Sequence, residues 1–240
     1  MFGPHETVEI LLVYYVPMDS SAVNKRIKSV IRPMLQDVGF TQFTSRTAWR
    51  YSPEKIDVVN FQSFNSYLAN AVGCTTYSFS VNLGCSFAAI PRLESIKRKD
   101  GYFRPEEYEC HFRRTLQKSI KQPQLKRKDI WYVDPAGENL ELVTADAKNA
   151  IQDVGLDWFN RFSDLMEVLC TLLKDSETKE SVFGFGANPS PMRDFMTGFT
   201  ALSLGKIEIA RERIKKALDS GRIQEFQPKM HATLAELEKK

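Results

Sequence analysis

Thr75-Thr76-Tyr77-Ser78-Phe79-Ser80-Val81-Asn82-Leu83 alternates apolar and polar residues from Tyr77 onward. Successive side chains of a strand point to opposite faces, so Tyr77, Phe79, Val81 and Leu83 fall on one side and Ser78, Ser80 and Asn82 on the other. The stretch predicts a strand with one face in a core and the other wet or covered by a partner. Two runs upstream, Thr47–Tyr51 and Ile56–Phe64, are rich in aromatic and β-branched residues. Ser52-Pro53 and a polar stretch around Asn65–Asn70 separate the three runs, the punctuation expected between strands. Together they predict an antiparallel sheet.

Helical patterns flank it. Val23, Ile27, Val30, Ile31, Met34 and Val38 recur at three- and four-residue steps, with Asp19 or Ser20 to start a helix and Gly39 to end it. Pro33 within that pattern predicts a break near Arg32. Pro105-Glu106-Glu107 reads as a helix start, proline and acids both suiting a first turn, with Tyr108, Phe112 and Leu116 as its buried side. Ile130–Val133 reads as a short strand closed by the turn Asp134-Pro135-Ala136-Gly137. Leu140, Val143, Ala147, Ile151 and Val154 then mark a helix ended by Gly155, and Trp158, Phe162, Leu165, Leu169 and Leu172 mark the next.

After Lys174 the character changes. Residues 175–191 are polar, then glycine- and proline-rich, and read as a linker; Gly184 and Gly186 have neither the preceding strand nor the following Gly-Lys-Ser/Thr of a phosphate loop. Beyond it, Gly198, Gly205, Ala210, Ile214 and Ala217 follow the small-residue spacing of one tetratricopeptide-like helical hairpin. The expected organisation is an α+β domain over 1–174, the linker, and a helical hairpin over 192–240.

Composition narrows the class. Of the 240 residues 42% are hydrophobic and 26% charged, ordinary for a packed globular chain. A net charge of +3 does not by itself call for nucleic acid. The apolar run Val8–Val16 is far shorter than the ~20 residues of a membrane-spanning helix and lacks a basic leader, so it reads as a buried strand stopped by Pro17. Cys74, Cys85, Cys110 and Cys170 form no CxxC pair and read as free thiols in a reducing cytosol, with neither disulfide nor zinc.

The succession RPMLQDVGF, TAWRY, DVVNFQ, FSVNLG, ECHFRRTL and DIWYVDPAG, spread over approximately Ala22 to Leu173, resembles the bacterial family called domain of unknown function 4304. Gly39, Phe40, Trp49, Gln62, Asn82, Gly84, His111, Arg113 and Trp131 fall within its motifs. The resemblance implies a bacterial α+β protein, and no catalytic residues come with it. An immunity or defence role is an expectation that the kind of family suggests.

The chemistry-bearing residues are few. His5 and His231 lie near the termini, which leaves His111 as the candidate base; on a helix, its neighbour Cys110 would point elsewhere. Lys97–Lys128 carries eleven Lys/Arg against four acids, 11 − 4 = +7, so the rest of the chain is 3 − 7 = −4. Such a segment is either an anion-binding face or a solvated helix between basic loops. No catalytic set, metal or cofactor is expected. The leading reading is a cytoplasmic, non-catalytic module that binds another protein through its sheet face or helical tail, with no membrane. The alternative is a nucleic-acid-associated protein using 97–128, and the third reading is an enzyme with a site near Gln62, His111 and Arg113. The candidate binding residues are Gln62, Asn82, His111, Arg113, Arg114, Lys126, Arg127 and Lys128.

Overall fold

The computed structural model describes residues 18–92, 96–174 and 190–239. His5, the apolar run Val8–Val16 and residues 175–189 of the expected linker, with Gly184 and Gly186, lie outside these residues.

Helix α1 (Ser20–Val30) starts where the Asp19 carboxylate accepts the Ala22 amide proton at 2.8 Å. This satisfies one of the backbone donors that a helix N-terminus leaves free. The chain breaks at Ile31, and α2 (Arg32–Asp37) follows with Pro33 in its first turn, where a missing N–H costs nothing. Gly39 reverses direction at φ +91°, a conformation that glycine adopts without a β-carbon clash.

Strands β1 (Phe40–Phe43), β2 (Thr47–Tyr51), β3 (Lys55–Ser63) and β4 (Phe79–Phe87) then form a meander, interrupted by α3 (Ser66–Val72). A two-stranded hairpin, β5 (Arg98–Lys99) and β6 (Tyr102–Phe103), precedes β7 (Phe112–Thr115). The sheet order is β1-β2-β3-β4-β7, antiparallel at each pairing. The α+β class read from the sequence is therefore correct.

Several local expectations are not. The strand expected at 75–83 begins at Phe79 because Thr75–Ser78 closes a turn: the Ser78 amide donates to Thr75 O, and the Thr75 hydroxyl donates to Val133 O. The polar stretch around Asn65–Asn70 is helix α3, capped by the Asn65 side chain and ended by Gly73. The helix expected from Pro105 shrinks to one 3₁₀ turn, Glu107–Glu109, and Tyr108 is exposed rather than buried. Phe112–Thr115 is a strand because the outer edge of β4 at Asn82–Cys85 takes it as a hydrogen-bonding partner, a demand that outweighs local propensity. Gly155 does not end a helix. α4 (Leu140–Ala150) runs through a π-helical turn, Ile151–Gly155, into α5 (Leu156–Arg161). Gly155 rests against Leu83 and Leu116, and the break falls later, where Asp164 caps α6 (Leu165–Leu173). Trp158 and Leu165 therefore belong to different helices.

The helices cover one sheet face. Phe61, Phe79, Val81, Leu83, Phe87 and Phe112 meet α1, α2, α4 and α5 in one buried cluster. Trp131 bridges to the backbone of Phe79 and stacks on its ring at 6.0 Å. Its indole N–H donates at 2.8 Å to the Asp146 carboxylate, which also accepts the Ser119 amide and hydroxyl protons. On the same face Asp57 is wedged between Arg50 and Lys55, and the Lys55 ammonium donates to Phe159 O at 2.5 Å. The buried Asp57 carboxylate and Lys55 ammonium are thus paired and hydrogen-bonded, with half-buried Arg50 sharing the carboxylate, the condition under which charges tolerate burial.

The expected C-terminal hairpin forms as α7 (Pro191–Ser203) and α8 (Ile207–Asp219), and a third helix, α9 (Gln227–Leu237), extends it. Gly198 lets α7 and α8 close on each other, since a β-carbon there would sit 2.5 Å from Ile214 Cγ1. Phe195, Phe199, Phe226 and Met230 continue the same buried cluster beyond α6.

Candidate functional site

The second sheet face is built in two halves. At one end Trp49, Ile56, Val58 and Cys110 form a small apolar cluster under the segment that follows the β5–β6 hairpin. The Trp49 indole N–H donates to Pro105 O at 2.8 Å, and the Tyr51 hydroxyl donates to Phe103 O at 2.9 Å. Burial pushes the Tyr51 phenol up to about 12. Gly84 is needed here: a β-carbon would meet Cys110 Sγ at 2.6 Å. So the face expected to be wet or partner-covered is in part covered by the chain itself.

The other half is polar, and pairing register makes it so. Thr47 pairs with Asn60, Asn60 with Asn82, and Asn82 with Thr115, a straight row across β2, β3, β4 and β7. Residues paired across strands share a face and touch through their side chains. The Asn60 amide donates to Thr47 Oγ1 at 3.0 Å, the Asn82 amide donates to Gln62 Oε1 at 2.9 Å, and the Thr115 hydroxyl donates to Asn82 Oδ1 at 2.8 Å. Thr47 and Asn82 are buried, Asn60 is half-buried, and Gln62 and Thr115 are exposed. These bonds fix the orientation of the outer two groups. Gln62 Nε2 has no hydrogen bond among the described residues and is free to donate, and Thr115 Oγ1 retains acceptor capacity. Gln62 and Asn82 were legible as candidates from the sequence. Thr47, Asn60 and Thr115 were not, because nothing in the linear pattern gives the register that aligns them.

Beside this row the Arg113 guanidinium forms a bidentate pair with Glu107, at 2.7 and 3.3 Å. Arg113 pairs with Gly84 across the strands and Arg114 with Leu83. Both were expected on a helix; on strand β7 the two belong to opposite faces, so they do not form one basic patch. Arg114 is exposed on this edge strand, where charge discourages pairing with another chain. Lys126, Arg127 and Lys128 are exposed in the loop after β7, with Arg127 bonded through two nitrogens to Asp129. That hydrogen bond holds the Asp129 carboxyl below its usual range. Arg104 is likewise bonded to Asp100 and Gln42, and Lys118 to Gln122 and Leu125 O.

His111 lies not on a helix but in the link from the 3₁₀ turn to β7, buried, and stacks at 6.1 Å on Phe87. Its Nδ1 accepts the Phe87 amide proton at 2.9 Å. Burial, reinforced by the Arg92 charge, pushes its pKa down to about 3. An imidazole whose proton affinity is lowered in this way, with Nδ1 already occupied by an amide proton, is a weak general base. Burial also pushes the Cys85 and Cys110 thiols well up, away from the nucleophilic thiolate. Among the described residues no group of three or more His, Cys, Asp or Glu is placed to hold a metal ion. None of the described helices is long and apolar enough to cross a membrane.

A family model described as "Domain of unknown function (DUF4304)" matches residues 31–161, more than half of the chain. The matched span is narrower at both ends than the resemblance read from Ala22 to Leu173; it begins at the α1–α2 break and ends with α5. No curated protein and no solved structure matches.

Proposed function

The chain belongs to the family described as a domain of unknown function (DUF4304), and on that premise we propose that it is a non-catalytic module that binds a protein partner through the polar half of its sheet face. The observation that carries this reading is the row Thr47–Asn60–Asn82–Thr115 with Gln62 at its side. Asn82 is bonded to both Gln62 and Thr115, so these two exposed groups present a donor and an acceptor in fixed positions. Pre-organised polar groups of this kind suit a peptide backbone, which offers both complements, at little entropic cost. Tyr67, 79% exposed on α3, the helix that links β3 to β4 along the chain, is an exposed aromatic of the kind enriched at interfaces. The lowered proton affinity of buried His111, with its Nδ1 already bonded, supports the non-catalytic part. A bacterial, cytoplasmic setting and a role in immunity or defence complete the proposal.

Nucleic acid is the competing ligand, drawn to Lys126, Arg127 and Lys128. The carboxylates already bonded to Arg104, Arg113 and Arg127 weigh against it. A tagged pull-down from the native host at low and high salt separates the two. The test compares wild type, a Gln62→Arg/Thr115→Arg variant, and a Lys126→Ala/Arg127→Ala/Lys128→Ala variant. The proposal requires a protein held at high salt by wild type and the triple variant and lost from the sheet-face variant. Bound nucleic acid that disappears at high salt and in the triple variant would replace it with the alternative.

A further inference from the structure

Away from the polar row, a groove opens between the turn that follows β4 and the β5–β6 hairpin. It has a volume of about 610 Å³ and is walled by Ile90, Pro91, Arg92, Ile96, Arg98 and Phe103, within the ~300–1,000 Å³ range of small-molecule sites. Two guanidiniums lie against a single ring in it, Arg98 at 3.9 Å and Arg92 at 5.6 Å from the Phe103 centroid. Arg92 is held in place, its Nε donating to Ser86 Oγ at 2.8 Å and its Nη2 to Ser86 O at 3.1 Å. Most other arginines near a carboxylate use it: Arg50, Arg104, Arg113, Arg127, Arg211 and Arg213 are all ion-paired. Arg92 and Arg98 have no carboxylate within 4 Å among the described residues, although burial already weighs on the Arg92 charge.

We propose that this groove binds a small organic anion with an apolar body, its acid group met by the Arg98 and Arg92 guanidiniums. The chemistry follows from what lines it. Two guanidiniums, Arg92 half-buried and Arg98 exposed, with no carboxylate within 4 Å among the described residues, favour an anion, and a guanidinium binds carboxylate, sulfonate or phosphate oxygens with directional, charge-assisted hydrogen bonds. A bare inorganic anion would leave Ile90, Pro91, Ile96 and the Phe103 ring uncovered. An apolar or aromatic body covers them and removes that surface from water. The Ser86 contacts hold Arg92 in its binding position before the ligand arrives.

The test uses 8-anilinonaphthalene-1-sulfonate as the probe, with the uncharged N-phenyl-1-naphthylamine as its neutral counterpart, titrated by fluorescence into the full chain. One saturable site is expected for the sulfonate, with the neutral compound bound at least about tenfold more weakly, the loss expected for a charged hydrogen-bonding group. Arg98→Met retains the apolar stem and removes the charge. It should weaken the sulfonate about tenfold and leave the neutral compound unchanged. Lys126→Met, away from the groove, should change neither. Because Arg98 is exposed, its variant should melt with wild type. The comparison of the two probes on unaltered protein tests the charge requirement without relying on any variant. No saturable sulfonate site, equal binding of the two probes, an unchanged Arg98→Met, or an equal loss in Lys126→Met would each overturn the proposal.

Discussion

Adding one methyl group at Gly198 should destabilise the protein by about 1–2 kcal/mol. The new β-carbon would lie 2.5 Å from Ile214 Cγ1, 3.0 Å from the Ile214 backbone nitrogen and 3.4 Å from Ala210 O. The first contact could be relieved by side-chain rotation, but Ile214 is fully buried and has no free space to turn into. The other two atoms are backbone, so α7 and α8 must separate by several tenths of an ångström. Overpacking of this kind costs ~1–3 kcal/mol. Alanine's better helix propensity returns about 1 kcal/mol, and the involvement of backbone places the balance on the destabilising side. Urea unfolding followed by far-ultraviolet circular dichroism measures it, because Trp49, Trp131 and Trp158 all lie outside the C-terminal helices and report on them poorly. Ile214→Ala alone should cost ~2–5 kcal/mol. The double variant Gly198→Ala/Ile214→Ala should cost about 1 kcal/mol less than the sum of the two singles, since the second change removes the obstructing atom. A Gly198→Ala protein as stable as wild type, or strict additivity in the double variant, would refute the close approach as the reason for glycine.

Phe79, fully buried between Phe61 and Trp131, should lose ~3–5 kcal/mol on change to alanine; a shift in the urea midpoint is the measure, and an unshifted midpoint would place the ring outside the core. His111 makes stability depend on pH. Its folded pKa of about 3 lies below the unfolded value of 6.5, so the unfolded chain binds the extra proton first. Its contribution is complete above about pH 6.5 and is lost as pH falls toward 3, about 2 kcal/mol of it between pH 7 and pH 5. Unfolding at those two pH values in wild type and His111→Asn should show that part of the slope vanish in the variant. Among the thiols, exposed Cys170 should react with iodoacetamide first and half-buried Cys74 more slowly, while Cys85 and Cys110 stay protected until unfolding; intact-mass analysis gives the order.

Local pattern along the chain accounts for the α+β class, the break at Pro33, the β2 and β3 strands, the Asp134–Gly137 turn and the close-packed C-terminal helices. Each of these rests on a local cause: side-chain periodicity, a missing N–H, a carboxylate that caps, a small residue where helices meet. Tertiary structure decided the rest. Phe112–Thr115 reads as helix until the open edge of β4 claims it, and Gly155 reads as a stop until the helix continues past Leu83. Arg113 and Arg114 look like one basic patch until the strand sends them to opposite faces, one of them to Glu107. The polar row depends on register across four strands, and the groove at Arg92, Arg98 and Phe103 depends on a hairpin folding back against the end of β4. The row brings together residues far apart in the chain and the groove lies within one short segment that must fold back on itself; spacing along a sequence carries no information about which backbone atoms will share a hydrogen bond in either.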